Sequence, residues 1–250
     1  MKLRNVLAAG VALPAISAPA FAQEGAPAAD GDPVLGDNVI IVTAVAQGQN
    51  RLESSVSVSA LDAESIADLN PSSSADLIRQ IPGIRSEASG GEGNANIAVR
   101  GIPVSTGGAR YIQLQEDGLP VLEFGDIVFG NADNFVRADR NVGRVEAVRG
   151  GSASTFASNS PGGVINFISK TGLEEGGAVA GTIGIDHETY RLDFDYGGAL
   201  DATSYFHVGG FYRTGEGVRD TGFNGKEGGQ IKANLTTEFD GGYILSLIHI

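Results

Sequence analysis

Cysteine is absent from this 250-residue chain. Its absence excludes a disulfide scaffold, a thiol nucleophile, an iron–sulfur cluster and cysteine-based zinc motifs. Basic residues are scarce, with 17 Lys and Arg against 30 Asp and Glu and a net charge of −13. A duplex nucleic acid needs a basic stripe to neutralise its phosphates, so we expect no nucleic-acid partner. Long apolar runs are missing too: none after residue 22 approaches the ~18 residues of a membrane helix, which excludes a helical membrane protein.

The residue types that carry enzyme chemistry form no recognisable set. The three histidines, His187, His207 and His249, lie far apart and lack metal-ligand spacing. Lys170-Thr171-Gly172 matches one β-lactamase element, but no Ser-x-x-Lys accompanies it. The segment 222–226 resembles a phosphate-binding loop only superficially, because its glycines are too closely spaced. We therefore expect neither an enzyme, nor a metal site, nor a cofactor.

The N-terminus has the three parts of a secretion signal. Lys2 and Arg4 are followed by an apolar run over residues 6–18, and Ala20-Phe21-Ala22 forms a small-x-small cleavage site. The pattern predicts a signal peptide over residues 1–22 and export of the chain.

Residues 23–49 are predicted to form a flexible tether. Residues 23–38 combine Ala, Gly and Pro with acidic residues and no base, a composition that cannot bury enough surface to order itself. An uncharged, β-prone run, NVIIVTA, follows at 38–44. It is either an ordinary first strand or an exposed segment that adds a strand to a partner's sheet.

Residues 50–172 are predicted to form one compact α+β domain, beginning with two short helices. Asp62 is the expected cap of the first helix, which Asn70-Pro71 ends. Ser74 opens the second, which Pro82-Gly83 ends. The apolar residues of the second helix share one face: Leu77, Ile78, Ile81.

Short strands are expected in the rest of this domain. Asp117-Gly118 is a hairpin signal. The predicted strands, which imply a small mixed sheet, are 96–102, 111–115, 144–150 and 163–169.

Strict alternation of apolar and polar residues begins near residue 176. It is clearest at 190–196, 205–213 and 230–236. Such segments are typical of a transmembrane β-barrel, although a soluble antiparallel sheet with one solvated face shows the same pattern. The export signal favours the barrel. Residues 173–250 hold four or five strands, fewer than the ~8 of the smallest barrels, so we expect an incomplete barrel from the front of a longer protein. Whether residues 247–250 are native sequence stays open.

Five segments in order resemble the N-terminal part of the TonB-dependent outer-membrane receptors. NVIIVTA (38–44) resembles the TonB box, and ADLIRQIPGI (75–84) the helix that ends in a Pro-Gly turn. IAVRGI (97–102) and EDGLPV (116–121) resemble a strand and a hairpin of the plug domain. RVEAVRGGSASTFASNSPGGVINFISK (144–170) resembles its closing signature, with Gly150-Gly151-Ser152 where many members have Gly-Pro and Phe156 where Tyr is common.

The resemblance implies a plug domain inside the barrel of a receptor in the bacterial outer membrane. Such a receptor takes up a scarce nutrient, of the ferric siderophore, cobalamin or oligosaccharide class, using energy relayed from the inner membrane. The implied partners are the substrate, outer-membrane lipid, and periplasmic TonB, which adds a strand to Val39, Ile40, Ile41, Val42, Thr43 and Ala44. The alternatives are a passive or structural outer-membrane channel, a binding protein, or a nonfunctional remnant.

The resemblance also implies two sets of site residues in the domain. Polar contacts with the barrel wall are expected of Arg100, Arg144, Glu146 and Arg149, whose roles are either salt-bridge stability or switching. Substrate contact is expected of Arg110, Tyr111, Phe124, Asp126 and Phe129, unless these side chains pack against the barrel instead.

Overall fold

The computed structural model describes residues 41–42, 49–50, 57–88, 92–93, 95–102, 111–121, 132–150, 153, 157–158, 160–217 and 219–250. Every described residue belongs to one compact unit, residues 38–250. The predicted signal peptide lies outside the described residues. Within the described part of the chain, no helix is long and apolar enough to cross a membrane.

Two helices form where local signals predicted them. α1 spans Ala63–Leu69, and its N-cap Asp62 accepts a hydrogen bond from the Ser65 amide at 2.8 Å. It ends at Asn70, which adopts the left-handed conformation with φ 42°. α2 spans Ser74–Arg79 and starts with a reciprocal capping box between Ser73 and Asp76. The predicted apolar face is buried: Leu77 and Ile78 lie in α2, and Ile81 follows the end of the helix.

The other elements up to residue 169 are short strands and one 3-10 turn, Ala132–Asn134. The strands are β1 (Ile41–Val42), β2 (Gln49–Asn50), β3 (Val58–Asp62), β4 (Ile84–Glu87), β5 (Asn96–Val99), β6 (Ile112–Glu116), β7 (Leu119–Pro120), β8 (Val142–Arg149) and β9 (Gly163–Ser169).

A mixed sheet organises the α+β domain, in the order β3-β8-β9-β6-β7, with β6 parallel to β9 and the other pairs antiparallel. Apolar side chains from α2, β8 and β9 form its core, and Leu77, Val145 and Ile165 have no exposed surface. The expected small mixed sheet with short helices is confirmed.

Two turns show how local backbone geometry sets strand ends. Asp117 and Gly118 have φ values of 50° and 82° and close the predicted hairpin between β6 and β7. The predicted strand 96–102 is shorter than expected and ends at Val99. Arg100 and Gly101, with φ values of 50° and 79°, turn the chain there. β3 and β4 are strands that the sequence pattern did not reveal.

The alternating segments form a five-stranded antiparallel sheet in chain order. Its strands are β10 (Gly176–Ile183), β11 (Thr189–Ala199), β12 (Ser204–Gly215), β13 (Gly228–Phe239) and β14 (Gly242–His249). Side chains on one face are largely exposed and apolar, among them Val179, Ile183, Leu192, Ile231, Leu235 and Ile248. The opposite face covers the α+β domain, as the contacts below show.

Candidate functional site: the polar interface between the two sheets

The face of the antiparallel sheet that meets the α+β domain is polar. It carries buried side chains at alternate positions: Asp193, Asp195, His207, Lys232, Asn234 and Thr236. Each is directed inward because its sequence neighbours occupy the exposed apolar face. Buried polar groups are costly unless they find partners, so this face requires polar groups from the domain that covers it.

Asp195 is the centre of the strongest cluster. Its carboxylate accepts hydrogen bonds from Arg140 Nε at 2.7 Å and from Lys170 Nζ at 2.9 Å. The carboxylate side chain is only 4% exposed, whereas the two cations are about one quarter exposed. The buried imidazole of His207 lies beside it, with Nε2 3.5 Å from the carboxylate. Arg140 precedes β8 and Lys170 follows β9, so one carboxylate holds these two strands of the mixed sheet against the antiparallel sheet.

The loop before β8 makes a second set of contacts. Arg191 Nη2 donates to the Ala138 carbonyl at 2.7 Å, and Gln230 Nε2 donates to Asp139 Oδ2 at 3.1 Å. Burial raises the pKa of Asp139, against the opposing effects of Lys232 and of the hydrogen bonds from Asn141. Backbone also contributes: the Lys170 carbonyl accepts a hydrogen bond from Asn234 Nδ2 at 2.6 Å.

Lys232 makes a third contact between the sheets. Its ammonium group, 3% exposed, donates to Glu116 Oε1 at 2.6 Å. His249 Nε2 lies 3.0 Å from the other oxygen of the same carboxylate. Glu116 ends β6, so the far side of the mixed sheet is also held by an ion pair.

The lengths of the strand connections orient the antiparallel sheet. Residues 200–203 and 240–241 form tight turns at one end, whereas 184–188 and 216–227 form longer connections at the other. Longer connections are typical of the extracellular end of an outer-membrane barrel, so we expect the end bearing 216–227 to be the outer end. Glu92 lies at that end, in ion pairs with Arg213 and Lys226 of the antiparallel sheet.

A cavity of about 580 Å³ is lined in part by the Asp195 cluster. Arg140, Arg144, Lys170 and His207 contribute to its lining, and the segment 169–177 forms its edge. In the described part of the chain, no three His, Cys, Asp or Glu side chains are placed to hold a metal ion.

The four residues expected to contact the wall make their described bonds inside the α+β domain. Arg144 Nε donates to Glu146 Oε1 at 2.7 Å, and Glu146 is fully buried. Arg149 donates to Ser59 and to the Pro82 carbonyl, and Arg100 donates to Ser57. Arg149 ends β8 at the end opposite to the 138–141 loop. Contact of these four residues with a barrel wall stays a prediction.

The other predicted site residues are only partly within the described chain. Ile41 and Val42 form β1, which pairs antiparallel with β2 in the register Ile41–Asn50 and Val42–Gln49. Tyr111 precedes β6 and is 40% exposed. Outside the described residues lie Val39, Ile40, Thr43 and Ala44 of the box, and Arg110, Phe124, Asp126 and Phe129 of the substrate set.

The residues that do join the two sheets were missed by sequence reasoning. The alternation in 190–196 and 230–236 correctly places Asp195 and Lys232 on a polar face, and that was the available signal. It does not select their partners, because Arg140 and Glu116 are distant in sequence and meet them only in the tertiary structure.

Comparison with known proteins agrees with this architecture. Residues 50–164 match the family model described as the TonB-dependent Receptor Plug Domain. The ferric enterobactin receptor PirA of Pseudomonas aeruginosa is 26% identical over 84% of this chain and 32% of its own length. The vitamin B12 transporter BtuB of Photobacterium profundum is 29% identical over 58% of this chain and 22% of its own. This chain thus spans about a third or less of these relatives.

A solved structure shows the same fold. The ferric yersiniabactin uptake receptor FyuA of Yersinia pestis superposes with a TM-score of 0.57 and 23% identity, covering 74% of this chain and 29% of that one. A plug domain held by polar contacts against outward-apolar antiparallel strands corresponds to the plug and the first barrel strands of such receptors. The chain is therefore similar to the TonB-dependent receptors of the bacterial outer membrane, and the similarity is carried by the plug-domain match over residues 50–164.

Proposed function

We propose that this protein is a TonB-dependent transporter that takes up a scarce nutrient through the outer membrane, using energy relayed from the inner membrane. The observation that carries the proposal is the chemistry of the plug–barrel interface. Ion pairs and hydrogen bonds join the plug to strands β11 and β13, whereas the core of the plug itself is apolar.

A polar interface suits a plug that moves. When charged side chains separate and both partners reach water, hydration compensates for the lost attraction. Arg140 and Lys170, each about one quarter exposed, already have part of this access, whereas the buried Lys232–Glu116 pair is the costlier one to separate. Separation of an apolar interface would instead expose surface at roughly 25 cal/mol per Å². The plug can therefore shift against the wall while its own apolar core remains intact.

TonB is the proposed source of the force. Residues 39–44 are uncharged and rich in β-branched side chains, as strand addition requires, because the partner's main chain recognises extended backbone. Ile41 and Val42 already form a strand paired with Gln49–Asn50. The acidic tether before them supplies length for a periplasmic partner to reach the segment.

The substrate proposed is a ferric siderophore, cobalamin or an oligosaccharide. The first two classes are supported by the relatives, whose names specify ferric enterobactin and vitamin B12. Substrate would bind at the outer end, where Arg110, Tyr111, Phe124, Asp126 and Phe129 are the proposed plug contacts.

The test is a proline in the proposed TonB box. Val42→Pro removes a backbone donor and distorts the strand, so we expect energised uptake of radiolabelled ferric enterobactin or cyanocobalamin to be lost while surface binding persists. Gly36→Pro, in the tether, is the matched control and should leave uptake unchanged. Unchanged uptake in Val42→Pro would reject the box. Uptake that survives collapse of the proton gradient would instead identify a passive channel.

A further inference from the structure

A single carboxylate reaches from the plug to the outer end of the barrel strands. Glu92 lies in a glycine-rich segment, with glycines at 90, 91 and 93, and Gly93 has a φ of 79°. Its carboxylate divides between two cations: one oxygen contacts Arg213 Nη1, and the other lies 3.5 Å from Lys226 Nζ. Arg213 is close to the end of β12, and Lys226 is in the connection that follows that strand.

Among the described residues, no carboxylate of the barrel strands forms an ion pair with Arg213 or Lys226. Arg213 is paired in register with Arg191, so two like charges face each other across neighbouring strands. Asp193 neutralises Arg191 through hydrogen bonds at 2.7 and 2.8 Å. For Arg213 and Lys226, the ion pairs among the described residues are those with Glu92.

Arg213 also retains unused binding capacity. Its Nε is buried and has no acceptor among the described residues. Both Arg191 and Arg213 lie over the ring of Phe211, 4.1 and 5.9 Å from its centroid, which places the guanidinium groups against a buried side chain. A fixed, partly desolvated guanidinium with a free donor, beside an ammonium group, is a carboxylate-binding arrangement.

We propose that Arg213 and Lys226 form a subsite for a carboxylate group of the incoming ligand, and that Glu92 occupies this subsite while the ligand is absent. The inference rests on the proposed function, since it assumes a ligand that arrives from the outer end. A ligand carboxylate replaces Glu92 with the same charge and the same two partners. Gly93, next to Glu92, has a φ of 79°, a conformation that glycine adopts more readily than other residues, so the Glu92 side chain can reorient there while the Ala95 amide stays bonded to Asp133.

Displacement couples ligand binding to the plug. Once the ligand holds Arg213 and Lys226, the segment around Glu92 is no longer tied to β12. Binding therefore removes one plug–barrel contact before any force acts on the N-terminal side.

The test measures binding of radiolabelled citrate to the purified intact receptor at constant ionic strength, with no TonB present. Glu92→Gln removes the competing charge, and we expect citrate to bind about tenfold more tightly, the size of one charge-assisted hydrogen bond. The double variant Arg213→Gln/Lys226→Gln should bind citrate about tenfold more weakly or not at all. Glu87→Gln is the matched control, because Glu87 pairs with Arg85 within the plug.

Two results would overturn the subsite. In the first, Glu92→Gln lowers thermal stability but leaves citrate affinity unchanged, which is the behaviour of a purely structural ion pair. In the second, none of the four proteins binds citrate. Failure of the proposed transport function is a separate outcome. In that case citrate would bind to the four proteins as expected, but energised uptake of ferric enterobactin and cyanocobalamin would be absent.

Discussion

Arg140 of the plug donates its Nε hydrogen to Asp195 of strand β11 across 2.7 Å, and the same carboxylate receives the ammonium group of Lys170 at 2.9 Å. One barrel residue thus anchors the segments that precede β8 and follow β9. These strands are neighbours in the plug sheet, so Asp195 holds the C-terminal part of the plug to the wall.

Asp195→Asn should loosen that part of the plug. The change leaves Arg140 and Lys170 without their countercharge, and because both cations are partly exposed we expect a cost of about 2 kcal/mol rather than that of a fully buried pair. Amide hydrogen exchange in the intact receptor should speed up around 139–142 and 170. Asp240→Asn, an exposed turn carboxylate, is the control. Equal exchange in both variants would show that Asp195 does not anchor the plug.

Gly209 of β12 is a point of close approach between wall and plug. A Cβ there would lie 2.6 Å from Asn141 Oδ1 and 2.7 Å from the Phe194 carbonyl. Gly209→Ala should therefore displace the plug loop and cost about 1–3 kcal/mol, the usual penalty of overpacking. Gly181→Ala, in β10, meets nothing within 4 Å and should be tolerated. The two variants are compared by the denaturant concentration at the midpoint of plug unfolding. Equal midpoints would contradict close contact between Gly209 and Asn141.

The exposed apolar face of the strands predicts that an arginine substitution costs more stability near the bilayer midplane than near the membrane surface. Leu192 lies within β11 and is 52% exposed, whereas Leu200 lies in the turn at the short-turn end and is 61% exposed. Leu192→Arg should cost about 2–4 kcal/mol if it faces lipid near the midplane, and Leu200→Arg should cost about 0–1 kcal/mol. Heat-modifiable mobility of the folded barrel on gels measures the effect. A reversed order would show that this face of β11 does not meet lipid.

The capping box of α2 predicts a pH dependence. Burial tends to raise the pKa of Asp76, but hydrogen bonds from Ser72 and Ser73 and the Arg79 guanidinium outweigh it and hold that pKa below its ordinary value. A lowered folded pKa stabilises the fold above the ordinary value and ceases to do so as pH falls through the folded value.

Asp76→Asn should therefore destabilise the plug by about 1 kcal/mol at neutral pH, the usual worth of a helix cap. The difference from the unsubstituted protein should shrink as the pH falls through the folded pKa of Asp76. Plug unfolding followed at neutral and at strongly acidic pH measures it. A difference that stays constant with pH would show that the charge of Asp76 is unimportant.

The most local features were the most predictable. Asp62 and Ser73 cap helices close to the predicted positions, and Asp117-Gly118 forms the predicted hairpin, because each depends on a few neighbouring residues. The predicted end of the 96–102 strand was wrong. A non-glycine residue, Arg100, adopts a left-handed turn there, and its residue type gives no sign of it.

Sequence alone determined the order of the described parts: a β-prone segment, an α+β domain and alternating strands. The export signal before them stays a prediction. The described parts follow from composition and periodicity, which act over a few residues. Only the tertiary structure decided which charges meet across the interface. Arg140 and Asp195, or Glu92 and Arg213, are far apart in the chain, and their pairing depends on how the register of the strands and the loops of the plug bring two buried surfaces together.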